Sequence, residues 1–390
     1  MEKREIYLDN SATTRPSEAA LERYCEVSRA HFGNPSSLHA RGKDAEDVMT
    51  AARRSILAAI GAKGGSLVFT ASGTEANNLA ILGRAHAKAR YRRARIVTTA
   101  GEHASVASPF AALAAEGMEV VAVPTKGGVL DLDAMKAALT ENTVLVSVML
   151  VNNETGALYD VQTVSRLVKA ACPDCVLHAD ATQALGKVPI DVRALGVRML
   201  TLSSHKVEGP KGVGALWIDE SLKKEKGIAP LILGGGQGEG LRSGTENVPG
   251  IAAFATALDE CKADFAKRRE KLQLLREKLL AGLRNEPLLF EVKPILPPVA
   301  APHILSLILP GIKSEVMLHY LAGEGISVSS GSACSSHGHV GETALSAFGC
   351  RDREVDCAIR VSLSHRNEEE EIDRFLSVLA EGCRRLCRMK

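Results

Sequence analysis

Aromatic residues make up only 4% of this chain, with a single tryptophan, which is too few for a platform that stacks nucleobases. No charge of one sign dominates either: 48 Lys and Arg face 46 Asp and Glu, the net charge is +2, and the signs are interspersed. That balance argues against nucleic acid or another bulk polyanion as partner. No apolar run is long enough to span a bilayer, and Met1-Glu2-Lys3-Arg4-Glu5 leads into strand-like Ile6-Tyr7-Leu8 without the apolar core of a secretion signal. The expected location is cytoplasmic. Internal repeats and low-complexity tracts are absent. The nine cysteines, an odd number without a secretion signal, argue for reduced thiols and against a disulfide framework.

At 390 residues and 45% hydrophobic content the chain is large enough for two domains. From about residue 66 to 219 short apolar runs alternate with helix-length segments: Leu67 to Phe69, Glu75 to Ala89, Arg95 to Val97, then Glu119 to Val123, Val144 to Leu150, Val176 to Ala179, Met199 to Ser203 and Val213 to Ile218. Near-continuous apolar runs suit strands covered on both faces, so the alternation predicts a mostly parallel α/β sheet. Polar clusters follow the strands repeatedly, at Ser72-Gly73-Thr74, Glu102-His103, Asn152-Asn153-Glu154, Asp180 and His205-Lys206. Ligands of open α/β sheets collect at strand carboxyl ends, so these clusters are expected to share one crevice. A boundary is expected after about residue 260, where Leu272, Leu275, Leu279 and Leu283 mark an amphipathic helix and Pro294, Pro297, Pro298 and Pro302 precede a new strand, His303 to Ile308.

Lys206 closes an apolar strand and is followed by Gly209-Pro210-Lys211-Gly212; Asp180 ends another. Pyridoxal 5'-phosphate (PLP) needs such a pair, an amine that forms a Schiff base with its aldehyde and a carboxylate that keeps its pyridine nitrogen protonated. Each alone is ordinary, since lysines after strands are usually solvated and an Asp there is usually a helix cap. Gly73 and Thr74 open a helix after a strand and can meet a phosphate, although a plain N-cap reads the same way. His103 can stack on the ring and shuttle protons, or be structural. Asn153 and Gln183 can bond the cofactor's phenolic oxygen, or belong to turns.

Together, Tyr7 to Thr14, His31 to Ser37, Ser72 to Asn78, Glu102-His103, Asn152 to Gly156, Asp180 to Gln183, Ser203 to Lys206 and Arg242 to Asn247 resemble, in order, the cysteine desulfurases of the NifS/IscS type. The resemblance runs from the first strand almost to the C-terminus. It implies a PLP-dependent transferase of fold type I: a large domain, 15–260, with a mostly parallel seven-stranded sheet, and a smaller α+β domain from 1–14 and 261–390. It also implies a homodimer with active sites near the subunit interface. Residue by residue it assigns Lys206 to the Schiff base, Asp180 to the pyridinium, His103 to stacking, and Asn153 and Gln183 to the phenolic oxygen. Gly73, Thr74, Ser203 and His205 take the phosphate, with Thr245 reaching it from the other subunit. Arg360 matches the arginine that clamps the substrate carboxylate, and Asn34 lies near the same group.

Ser329-Ser330-Gly331-Ser332-Ala333-Cys334 resembles the family's mobile loop, about 329–349, with Cys334 as nucleophile. The implied reaction converts L-cysteine to L-alanine, leaves a persulfide on Cys334, and passes the sulfur to an acceptor protein in iron–sulfur cluster assembly or tRNA thiolation. The loop's length resembles the group that carries persulfide outward, but His337-Gly338-His339 and Gly341-Glu342-Thr343 replace a Pro-Ser element common in relatives. The chain closes at Cys387-Arg388-Met389-Lys390 without the longer tail of relatives that bind an iron–sulfur scaffold, which leaves the acceptor open. Selenocysteine lyase or another PLP enzyme of this fold remains an alternative, as does a sulfur-relay or metal-binding protein without PLP. The lone pair Cys172-Pro173-Asp174-Cys175 offers half a zinc site and is read as a turn, Cys383 and Cys387 as packing residues, and no metal is expected.

Overall fold

The apolar runs form thirteen strands in the computed structural model, which describes residues 5–87, 94–309, 311–331 and 343–387. They are β1 (Ile6–Tyr7), β2 (Ser66–Thr70), β3 (Arg95–Thr99), β4 (Glu119–Val123), β5 (Thr143–Met149), β6 (Val176–Asp180), β7 (Met199–Ser203) and β8 (Gly214–Ile218), followed by β9 (Lys293–Pro294), β10 (Ile304–Ile308), β11 (Ile326–Ser327), β12 (Ser329–Ser330) and β13 (Ala358–Ser362). Seven make one sheet in the order β2-β8-β7-β6-β5-β3-β4, in which β8 alone runs against its neighbours. Every residue of β2, β6, β7 and β8 is buried, as expected for strands covered by helices on both faces, whereas the edge strand β4 is buried at only one position.

The chain leaves β3 for the edge at β4 and returns to pair β5 on the other side of β3. That reversal opens a crevice at the strands' carboxyl ends. Helix Gly73–Ala87 packs on β7 and β8, and helices Glu18–Ala30 and Ala40–Ala59 pack against Val248–Ala263. Among the described residues no helix is long and apolar enough to cross a membrane.

A second sheet, β12-β13-β10-β9, is antiparallel and shares a core with helices Phe265–Asn285, Ser314–Gly323 and Glu369–Cys387. The leucine stripe at 272, 275, 279 and 283 is buried there, each side chain contributing about 2 kcal/mol of apolar burial. Ile6 and Leu8 join the same core, and β1 pairs in parallel with β11. From that anchor the segment Asn10 to Ser17 crosses to the large sheet. Asn10 Nδ2 donates to the Ser362 carbonyl at 2.9 Å, and Thr14 Oγ1 donates to the His205 carbonyl at 2.9 Å.

Candidate active site

The turns after β2, β3, β5, β6 and β7 line one cavity of about 210 Å³. Gly73, Thr74, His103, Asn153, Asp180, Gln183, Ser203, His205 and Lys206, read from the sequence as separate candidates, all face it. Strand alternation explains the convergence: in parallel strands every carboxyl end opens on one edge.

Asp180, the last residue of β6, is buried. Its Oδ2 accepts from Asn77 Nδ2 at 2.7 Å and its Oδ1 from the Thr182 N–H at 2.8 Å. Asn77 Nδ2 also donates to Ser105 Oγ at 2.8 Å. His103 is the N-cap of helix Ala104–Ala115, where its Nδ1 accepts the Ser105 N–H at 3.1 Å. A ring nitrogen that accepts from an amide carries no proton, so in the neutral ring the proton sits on Nε2. One short network thus fixes Asp180 and His103 together.

Lys206 sits in the short helical turn Ser204–Lys206 after β7, and its Nζ donates to the carbonyls of Ser11 and, at 2.8 Å, Ala12. Gln183 Nε2 donates to that same Ser11 carbonyl at 3.0 Å. His205 Nδ1 lies 3.1 Å from Thr13 Oγ1. Burial, then the Lys206 and Lys211 cations, push His205 down to about 4, so its ring is neutral at pH 7. Ser203 Oγ, Ser11 Oγ and Asn153 Oδ1 are buried without a protein partner.

Arg360 on β13 of the second sheet donates through Nη1 to the carbonyl of the lining residue Asn153 at 3.0 Å. Two carboxyls beside the site carry raised pKa values. Burial pushes Glu102 up to about 8 against bonds from Thr99 and the Met149 N–H, and burial pushes Glu154 to about 7 against the nearby Arg360. Near neutrality Glu102 is therefore largely protonated and Glu154 about half so.

Three described site residues expected from the sequence do not line the cavity: Arg360 is buried beside it, and Asn34 and Thr245 are exposed on the surface. Cys334, His337 and His339 lie outside the described residues. Cys172 and Cys175 are buried in a turn closed by the Cys175 N–H on the Cys172 carbonyl at 2.9 Å, and Cys383 packs in the second core. Sequence reading assigned no role to Asn77, Ser105 or Ser11. Asn77 left a usable signal, an amide that with Asn78 interrupts the apolar positions Ala76 and Leu79 of helix Gly73–Ala87.

Residues 6–375 match the model of the family described as aminotransferase class-V. A cysteine desulfurase of Sinorhizobium fredii is 39% identical over 387 residues, 98% of this chain and 97% of its own. Cysteine desulfurase IscS 1 of Archaeoglobus fulgidus is 36% identical over 382 residues, 97% of each chain. A solved NifS-like protein superposes with a TM-score of 0.89 at 35% identity, over 97% of this chain and 98% of its own.

Proposed function

This chain belongs to the aminotransferase class-V family, and from that membership we propose that it is a PLP-dependent cysteine desulfurase, which takes L-cysteine to L-alanine and carries the sulfur as a persulfide on its own cysteine. The observation that carries the reading is the meeting of Lys206, Asp180 and His103 in one cavity.

The residues fit the cofactor. Ser203 Oγ and Asn153 Oδ1 are orphaned polar atoms facing the cavity, and orphaned buried groups call for a ligand. A Cβ on Gly73 would meet Thr182 Oγ1 at 3.1 Å and Ser203 Cβ at 3.3 Å, so the start of helix Gly73–Ala87 is open to a phosphate only because that side chain is missing. Lys206 would hold the aldehyde carbon, Asp180 the pyridine nitrogen, His103 the ring face, Asn153 and Gln183 the phenolic oxygen, and Gly73, Thr74, Ser203 and His205 the phosphate. When bound, PLP supplies an electron sink for the pair released at the substrate's α-carbon.

The chain's own groups do the rest. Asp180, kept as an acceptor by Asn77 and the Thr182 N–H, would hold the proton on the cofactor's ring nitrogen. Lys206, its amine drawn off the Ser11 and Ala12 carbonyls, removes the α-proton. Arg360 binds the α-carboxylate, with Asn34 beside it. The Cys334 thiolate attacks the substrate sulfur; the S–S bond forms as Cβ–Sγ breaks, and the electron pair stays with the carbon fragment, which takes up protons and leaves as L-alanine. His103, with its Nε2 proton, serves that protonation.

The chain is divided as a large domain, 15–260, and a smaller one, 1–14 with 261–390. It works in the cytoplasm as a homodimer, and Thr245 of one subunit reaches the phosphate held by the other. The exposure of Thr245, and that of Phe32 (69%), Leu233 (79%) and Leu38 (103%), supports an interface. The sulfur goes to an acceptor protein of iron–sulfur assembly or tRNA thiolation. The test is purified protein with L-cysteine and a reductant: wild type releases sulfide and alanine, while Cys334→Ala keeps the cofactor's absorbance and loses most sulfur release. A Cys334→Ala variant with wild-type activity overturns the nucleophile assignment.

A further inference from the structure

Arg360 is buried, and its guanidinium makes three hydrogen bonds within the protein. Nη2 donates to Asp9 Oδ1 at 3.0 Å and to Ser329 Oγ at 3.1 Å, and Nη1 donates to the Asn153 carbonyl at 3.0 Å. Nε is buried without a partner. Ser329 Oγ in turn donates to Asp9 Oδ1 at 2.8 Å, so acid, hydroxyl and guanidinium close a triangle.

A guanidinium offers a carboxylate two forks, Nη1 with Nη2 and Nε with Nη2. Both use Nη2, which already donates to Asp9 and Ser329. A second carboxylate can form two bonds to Arg360 only if Asp9 or Ser329 gives one up. The neutral hydroxyl tolerates an incoming anion, whereas two carboxylates on one shielded cation repel. Asp9 is the group that yields.

We propose that Asp9 is the resident carboxylate of Arg360 and that the substrate's α-carboxylate binds by exchange with it, so that Asp9 sets substrate affinity and selects against ligands that offer a carboxylate alone. The proposal rests on Arg360 being the carboxylate clamp. Asp9 keeps the buried guanidinium compensated between turnovers, because an unpaired buried charge is costly. It is tethered at the site, so a free carboxylate competes poorly with it. A substrate also anchored through its amino group meets the exchange with that second attachment already made.

Asp9→Asn keeps an oxygen for Ser329 and Nη2 but removes the charge. With the holoenzyme, its KM for L-cysteine is expected to fall about tenfold, the scale of one lost competing ion pair. Calorimetry with 3-mercaptopropionate, which has the carboxylate and thiol but no amine, is expected to show a similar gain in affinity independent of turnover. Ser329→Ala removes one acceptor from Nη2 and one donor from Asp9, which loosens the resident acid, and is expected to lower KM in the same direction. Arg360→Gln is the control and is expected to raise KM. If Arg360→Gln raises KM while Asp9→Asn leaves it unchanged or raises it, the exchange is overturned and the clamp stands. If Arg360→Gln leaves KM unchanged, the clamp falls and the exchange with it.

Discussion

Asp180 and His103 owe their fixed orientation to a residue that sequence alone gave no role. Asn77 supplies both N–H bonds of one amide, at 2.7 and 2.8 Å, to Asp180 and Ser105. Asn77→Ala removes them and leaves Asp180 Oδ2 buried without that donor, a loss of roughly 1–3 kcal/mol. PLP affinity, followed by absorbance on dialysis, is expected to drop about tenfold or more. Asn77→Asp sets a like charge against Asp180 and is expected to do worse, where a merely space-filling role would leave the isosteric variant near wild type. Asp180 itself was legible because an Asp ending an apolar run, paired with a Lys ending another, is a recognisable chemical set; its support was not, because hydrogen bonds across 103 residues leave no local pattern.

At the scale of elements, the turn bearing Lys206 is tied to the second layer through Glu208. Its φ of 66° is unusual for a residue with a side chain, and its carboxylate is buried against Arg366 Nη2 at 2.9 Å, Arg268 Nη1 at 3.4 Å and His365 Nδ1 at 3.3 Å. Its N–H donates to Thr14 Oγ1 at 2.7 Å, so the N-terminal crossing segment meets it as well. Glu208→Gln leaves two guanidiniums without their shared acid and is expected to cost about 3 kcal/mol in denaturant unfolding, as for other broken buried pairs. Glu208→Gly relieves the backbone and loses the same acid; a variant more stable than wild type would mean that backbone strain outweighs the ion pairs. Strand existence and type were legible here from burial on both faces. The bounds shifted by a residue or two, as at β2, which runs Ser66–Thr70 where the apolar run is Leu67 to Phe69.

Across the whole molecule, buried titratable groups set opposing limits on stability. Burial holds His178, His205 and His365 at about 4 in the fold, below the roughly 6.5 of a free imidazole, so the unfolded chain binds more protons as pH falls from 6.5 to 4 and stability is lost on that side. Glu102 at about 8 and Glu154 at about 7 lie above the roughly 4.3 of a free carboxyl, so the folded chain binds more protons and stability is lost as pH rises through 7 and 8. These groups together place the maximum near about pH 6.5. Glu102→Gln, which stands in for the protonated acid, is expected to flatten the alkaline limb in urea midpoints taken from pH 6 to 9.

The sequence by itself pointed to the chemistry: an ordered set of motifs supplied the amine, acid and thiol carried by the proposal, and the apolar runs predicted a mostly parallel sheet. Local patterns carry such information because strand burial and turn composition are written in neighbouring residues. Only the tertiary structure decided which groups meet. The crossing of Asn10 to Ser17 under Lys206, Asn77 behind Asp180, and Asp9 on the guanidinium of Arg360, 351 residues away, are contacts made by packing two layers together. A contact of that separation depends on how both layers seat, and no stretch of sequence short enough to show a pattern contains both partners.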